Sequence, residues 1–197
     1  MKKRILILYI SLQLTSCTFP SYVFQERKMQ TGLDFTSGKW LLNTVDAPYN
    51  VNAKLTQIII KDFTQHLDTR LNYVPKTKGL FLPQNTPFNP TKKEIKNLKI
   101  GTNFDYFINV KALKSKQNLG AIDITPHRFR NESETSVIVQ IEIYDLNNEE
   151  IIYSETVEGS VAISNNNNND IIFSKSADGL IFGAYKRIKK DINKKSI

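Results

Sequence analysis

The chain has few of the residues that build most catalytic and metal centres. Its 197 residues include one cysteine, two histidines (His66 and His127) and eight glycines. One cysteine excludes an internal disulfide and a cysteine-rich zinc site. No glycine-rich phosphate loop, acidic calcium loop or serine elbow occurs. Composition alone leaves a Ser/His/Asp triad or a carboxylate pair formally open, but we expect no enzyme, no cofactor and no metal.

A long apolar run is also missing. The longest candidate begins at Ile5 and covers about ten residues, whereas a membrane-spanning helix needs roughly 20. It follows Lys2, Lys3 and Arg4. A basic start before a short apolar core is typical of a secretory signal peptide, so we expect export.

The apolar run ends in Leu14-Thr15-Ser16-Cys17. This sequence resembles the lipobox of bacterial lipoproteins, in which a branched aliphatic and two small residues precede a cysteine. The resemblance implies that residues 1–16 are removed and that Cys17 carries a lipid. Two or more acyl chains give stable anchoring, so we expect the membrane to be a partner through this lipid. An ordinary signal peptide with an incidental cysteine is the alternative.

The charge is basic, with 27 Lys and Arg against 19 Asp and Glu. Loss of residues 1–16 removes three basic residues and leaves a net charge of +5. An exported chain rarely meets nucleic acid, so we expect none as a partner. Anionic lipids, lipopolysaccharide phosphates and cell-wall carboxylates are the expected counter-charges.

Hydrophobic periodicity predicts an α/β (α+β) domain over residues 39–192, after a lipidated N-terminus and tether over 17–38 and before a basic tail over 193–197. The predicted order is β-α-β-α-β-β-β-α, with one mixed sheet and helices packed on it. Strands are expected at 39–45, 71–74, 106–112, 137–144 and 151–161, and helices at 51–69, 91–101 and 171–192. The loops 75–90 and 114–134 are predicted to be irregular, with the first covering the core or facing a partner.

Two segments carry a family resemblance. The sequences GTNFDYFINV at 101–110 and IEIYDLNNEEIIY at 141–153 resemble a group of envelope domains. The group includes the N-terminal domain of the Tol-Pal propeller protein, the curli secretion-channel lipoprotein and lipoprotein activators of penicillin-binding synthases. The resemblance implies the same element order but no function, since these proteins do different things. Asn109 departs from the pattern, where glycine is common.

One loop is the best candidate for binding. His127, Arg128, Phe129 and Arg130 place an aromatic ring between two guanidinium groups, which suits an anion or a partner protein; a solvated loop is the simpler interpretation. Thr18 after Cys17 favours the outer membrane, by the retention rule of enteric lipoproteins. We expect a non-enzymatic envelope lipoprotein that presents its domain to a protein partner. A module for peptidoglycan or lipopolysaccharide and a component of a secretion assembly are the alternatives.

Overall fold

The structure, a computed structural model, describes residues 19–28, 32–83, 86–115, 132–164 and 175–197. Six strands form one mixed sheet, and three helices pack on it, which confirms the predicted fold class. The strands are β1 (Ser21–Lys28), β2 (Trp40–Leu42), β3 (Leu71–Tyr73), β4 (Tyr106–Ser115), β5 (Glu132–Asp145) and β6 (Glu150–Ser164), and the helices are α1 (Tyr49–Leu67), α2 (Lys92–Thr102) and α3 (Ala177–Lys195).

The strand order across the sheet is β1-β6-β5-β4-β2-β3. Strands β2, β3 and β4 run parallel, because α1 and α2 return the chain to the same edge after β2 and β3. Strands β4, β5, β6 and β1 pair antiparallel. A turn that follows Asp145 joins β5 to β6, and its residue Glu149 adopts the left-handed conformation with a φ of 56°.

Each face of the sheet has its own apolar cluster. The first, on what we call the helix face, combines alternate residues of β4, β5 and β6 with the inner sides of α1 and α3. Ile59 of α1, Ile141 of β5 and Ile188 of α3 are representative, and all three are fully buried. The second, on what we call the loop face, lies under α2 and includes Leu98 and Phe107. None of the described helices is long and apolar enough to cross a membrane.

A capping box formed by Thr91 and Glu94 fixes the start of α2. The Thr91 side chain accepts from the Glu94 amide at 3.3 Å, and the Glu94 carboxylate accepts from the Thr91 amide at 2.7 Å. At the other end Asn103 adopts the left-handed conformation that commonly ends a helix. The predicted bounds of 91–101 are therefore correct to within a residue.

Residues 21–28, inside the segment predicted as a tether over 17–38, form β1 along the edge of β6. Tyr22 and Phe24 pack against the core, while Val23 points to solvent. Tyr22 fits because Gly159 and Gly183 carry no side chains; a Cβ on either would meet its ring or hydroxyl. These partners lie more than 130 residues away in sequence, so no local pattern indicates them.

Several other predicted bounds also need correction. Strand β4 extends to Ser115 and strand β5 already begins at Glu132. The antiparallel pairing continues in both strands through polar residues that were assigned to a loop. Helix α3 begins at Ala177, not 171, since the Ser176 side chain caps it by accepting from the Gly179 amide at 3.2 Å. The helix continues to Lys195, so residues 193–195 are helical.

Candidate functional site

A cavity opens at the carboxyl ends of the parallel strands β2 and β3. Its volume is about 730 Å³, and the segment 43–47 between β2 and α1 forms one wall. The loop residues Leu82, Pro83, Thr86, Pro87 and Phe88 form another wall, and Asn109 and Lys111 of β4 close the third. Ligands of α/β sheets commonly bind at this edge, and cavities of this size hold small molecules. The cavity is therefore the candidate site.

Side-chain amides line its inner wall. Asn43 Nδ2 donates to Asn109 Oδ1 at 3.0 Å, and Asn109 Nδ2 donates to the Thr86 carbonyl at 3.3 Å. Asn52 Nδ2 donates to the Val45 carbonyl at 2.7 Å. These bonds hold the wall together, and neutral amides recognise uncharged polar groups such as peptide bonds.

The mouth of the cavity carries one pair of opposite charges. Lys111 Nζ lies 3.5 Å from Asp46 Oδ2; the Asp46 side chain is largely exposed and the Lys111 side chain is partly exposed. The backbone of Asp46 is fixed, since its amide donates to the Val110 carbonyl and its carbonyl accepts from the Ala112 amide. The pair therefore offers both a cation and a carboxylate to a ligand, from a rigid position.

Next to the cavity lies a buried polar network centred on Glu142. Its Oε2 accepts from the Asn89 amide and from the Tyr144 hydroxyl, each at 2.8 Å, and its Oε1 accepts from Ser154 Oγ at 3.1 Å. Burial and the Glu142 carboxylate raise the pKa of Tyr144, so its hydroxyl stays protonated and donates. The bonds from Asn89 and Ser154 join β5 to the loop and to β6, which indicates a structural role for Glu142.

The loop 75–90 divides its apolar side chains between core and solvent. Leu80 and Leu82 pack on the loop-face cluster, which confirms the expected core cover for these two. Phe81 is 82% exposed. Its amide donates to the Gly101 carbonyl at 2.8 Å, and its carbonyl lies so close that a Cβ on Gly101 would come within 1.9 Å. The loop therefore holds an aromatic ring in solvent from a fixed backbone.

Asp105 and Asp145 accept backbone hydrogen bonds at the ends of strands. Asp105 Oδ2 accepts from the Lys39 amide at 2.9 Å, and Asp145 Oδ1 accepts from the Asn147 and Asn148 amides at 2.8 and 3.0 Å. The hydrogen bond from the Lys39 amide holds the pKa of Asp105 below its usual value. Lys99 and Asn147 make smaller contributions in the same direction. Both carboxylates therefore stabilise strand ends.

His66 lies beside the apolar stripe of α1. Its ring stacks on Phe35 at 4.9 Å, and its Nε2 lies 3.1 Å from Asn193 Oδ1. Both contacts are structural. In the described ranges no group of three or more His, Cys, Asp or Glu residues is placed to hold a metal ion.

The site residues predicted from the sequence are not among the described residues. Cys17 and the loop His127, Arg128, Phe129 and Arg130 lie outside the described residues, so both predictions stay predictions. The cavity and the Glu142 network were missed by the sequence reasoning. One signal could have indicated them: Asn109 and Glu142 are polar residues inside strands whose neighbours are apolar.

No protein-family model matches the chain, and no curated protein matches it. Solved structures show a distant likeness. A PelC dodecamer from Paraburkholderia phytofirmans is 12% identical with a TM-score of 0.41, over 87% of this chain and 98% of that one. Lipoprotein GNA1162 from Neisseria meningitidis is 14% identical with a TM-score of 0.38, over 79% and 99% of the two chains. The LpoB C-terminal domain from Escherichia coli is 18% identical with a TM-score of 0.30, over 66% and 84%. One of the three is named as a lipoprotein, but likenesses at this level establish no shared function.

Proposed function

We propose that this chain is a non-enzymatic lipoprotein of the cell envelope, anchored by a lipid on Cys17, whose domain binds a protein partner. The lipobox at residues 14–17 and the signal-like segment before it support the anchor and the export. Thr18 favours the outer membrane, with the domain in the periplasm or at the surface. The fixed, exposed ring of Phe81 is the structural observation that supports a protein partner.

The surface around Phe81 has the properties of a binding hot spot. Ile100, the neighbour of Gly101 on α2, is 73% exposed, so two large apolar side chains project from adjacent segments. Aromatic residues in central positions dominate the energy of protein interfaces. Because the Phe81 backbone is already ordered, binding costs little conformational entropy. The cavity begins at Leu82, the next residue, and its amides can bind the partner's main chain.

Site-specific photo-crosslinking in the intact envelope tests this proposal. A photoreactive residue in place of Phe81 is expected to form one discrete adduct with another protein. The matched control is Tyr49, which is 99% exposed at the start of α1. It presents an aromatic of similar size, but outside the pair formed by Phe81 and Ile100.

The comparison between the two positions decides the outcome. An adduct from position 81 that is missing from position 49, and that Ile100→Asp abolishes, supports the proposal. The same adducts from both positions, or none from position 81, contradict it. Mass measurement of the mature protein tests the anchor separately, since acylation and loss of residues 1–16 change the mass.

A second candidate function rests on the basic loop. The Arg128-Phe129-Arg130 sequence suits an anionic envelope polymer, either peptidoglycan or lipopolysaccharide. Sedimentation with purified cell wall that is unchanged by Arg128→Ala and Arg130→Ala would remove this candidate.

A further inference from the structure

A second large concavity lies on the outer side of α1 and α3, where the two helices lie side by side. Its volume is about 940 Å³. The floor is formed by Ile58, Phe182 and Tyr185, of which the first two are half-buried and the third is buried. Since α1 and α3 cover the helix face of the sheet, this groove is on the side opposite to Phe81. We call it the basic groove.

Cations dominate the rim of the basic groove. Asp62 is the one carboxylate among the described lining residues, and Lys189 already pairs with it at 2.5 Å. Asp62 also accepts from the Tyr185 hydroxyl at 3.1 Å. The remaining charged groups of the rim are Lys61, Lys175, Lys186, Arg187, Lys190 and Lys194.

Most of these cations have no partner of opposite charge among the described residues. Within the described part of the chain, no salt bridge involves Lys61 or any of the three lysines that follow one another every fourth residue along α3. Residues spaced in this way lie on one face of a helix. These three lysines, Lys186, Lys190 and Lys194, are all exposed. The groove therefore combines an apolar floor with a row of ammonium groups that form no salt bridge with a described residue.

Tyr22 of β1 closes one end of the groove and orders two more cations. Lys175 Nζ lies 5.5 Å from the centre of the Tyr22 ring and 3.0 Å from its hydroxyl. The Arg187 guanidinium lies 5.7 Å from the same ring. Because Tyr22 is packed against Gly159 and Gly183, it holds these cations in place at the rim.

The position of Tyr22 in the chain links the groove to the membrane. Tyr22 follows Cys17 by five residues, so an extended chain separates them by at most about 18 Å. If Cys17 carries the lipid, as proposed above, this end of the groove lies within that distance of the head groups. An apolar floor edged by cations matches the glycerol region and phosphate of an anionic phospholipid.

We propose that the basic groove binds the head-group phosphates of anionic phospholipids, so that the outer side of α1 and α3 lies against the membrane. The lipid on Cys17 brings the domain to the bilayer, and the groove fixes its orientation. Phe81, on the opposite side, then points away from the membrane toward a partner. This inference rests on the proposed lipid anchor for the position of the groove, but its binding chemistry does not require the anchor.

Co-sedimentation with vesicles tests the groove without the lipid. All described strands and helices begin at Ser21 or later, so a chain of residues 17–197 with Cys17→Ser keeps every one of them. We expect it to bind vesicles that contain phosphatidylglycerol at least about tenfold more tightly than vesicles of phosphatidylcholine alone. High salt is expected to abolish the difference, because the attraction is electrostatic.

Two triple variants with the same change in charge separate the groove from the net charge. Lys186→Glu, Lys190→Glu and Lys194→Glu together remove the row on α3 and are expected to weaken binding about tenfold or more. Lys92→Glu, Lys93→Glu and Lys96→Glu change three exposed lysines of α2, on the opposite face. This control is expected to retain most of the binding. Circular dichroism checks that both variants remain folded.

Three results would overturn the proposal: equal binding to both vesicle types, equal losses in the two triple variants, or a larger loss in the α2 variant. A failure of the anchor is distinguishable from these, because it shows in the mass of the mature protein while vesicle binding by the unacylated chain persists.

Discussion

The two faces of the sheet are stabilised by different means. On the helix face, alternate apolar residues of β4, β5 and β6 meet α1 and α3 in one continuous cluster. On the loop face, the apolar cluster under α2 is followed by a polar row of Asn109, Glu142 and Ser154, which the loop 86–89 closes. The first face depends on the apolar area removed from water, and the second on the pairing of each polar group. The faces should therefore respond differently to substitution.

Two consecutive residues of β5 allow a direct comparison. Ile141 and Glu142 point to opposite faces, because successive side chains of a strand alternate. Both are buried, at 0% and 2% exposure. A substitution at either position leaves the backbone pairing of β5 with β4 and β6 unchanged, so the effects report on the two faces.

The largest effect is expected from Ile141→Ala. The substitution opens a cavity in the helix-face cluster and should lower the free energy of unfolding by about 2–5 kcal/mol. Urea unfolding measures the change. Ile141→Val is the matched control and should cost about 0.5–1.5 kcal/mol, since it removes one methylene. Equal losses of stability in the two variants would show that the stability of this face does not depend on the apolar volume buried at position 141.

A somewhat smaller effect is expected from Glu142→Ala. The Asn89 amide and the hydroxyls of Tyr144 and Ser154 lose their acceptor, and the free energy of unfolding should fall by about 2–3 kcal/mol. Glu142→Gln keeps the shape and one carbonyl oxygen, so about half of this loss is expected. If Gln is as damaging as Ala, or if Ala is harmless, hydrogen bonding does not stabilise the loop face.

The helix face is also the part of the fold that the sequence predicts well. Leu55, Ile59 and Phe63 repeat with the period of a helix, and Val139 and Ile141 repeat with the period of a strand. These periods depend only on neighbours along the chain. These periods were sufficient to predict α1, β5 and the order of eight elements, because the burial of one face of a helix or strand imposes the period.

The loop face and β1 could not be predicted in the same way. Glu142 is bound by Asn89, 53 residues away, and Tyr22 is accommodated by Gly159 and Gly183. Such contacts depend on where the folded chain brings distant segments together, and they leave no period in the sequence. The cavity has the same origin, because Asn43 and Asn109 meet only after β2 and β4 pair. The loop 127–130 stays a prediction for a different reason, since it lies outside the described residues.

The smallest effect is expected at Asp105, the residue that immediately precedes β4. Its carboxylate accepts from the Lys39 amide at 2.9 Å, from Lys99 Nζ at 3.0 Å and from Asn147 Nδ2 at 3.2 Å. Asp105→Asn keeps an oxygen for one donor but loses the charge, so a loss of about 1 kcal/mol is expected at neutral pH. Asp46→Asn is the control; its exposed pair with Lys111 should contribute less than about 0.5 kcal/mol.

The dependence on pH distinguishes the charge of Asp105 from its shape. The pKa of Asp105 is lower in the folded chain than in the unfolded chain, chiefly because the Lys39 amide bonds the carboxylate. Its stabilisation is therefore present above the unfolded pKa of about 3.9 and is lost as the pH falls through the lower folded pKa. Unfolding of the native chain and of Asp105→Asn, measured from neutral pH downward, should differ by a constant amount at first. The difference should shrink below about pH 4. A difference in stability that persists in acid would show that the shape of the Asp105 side chain between β2 and β4, and not its charge, causes the effect.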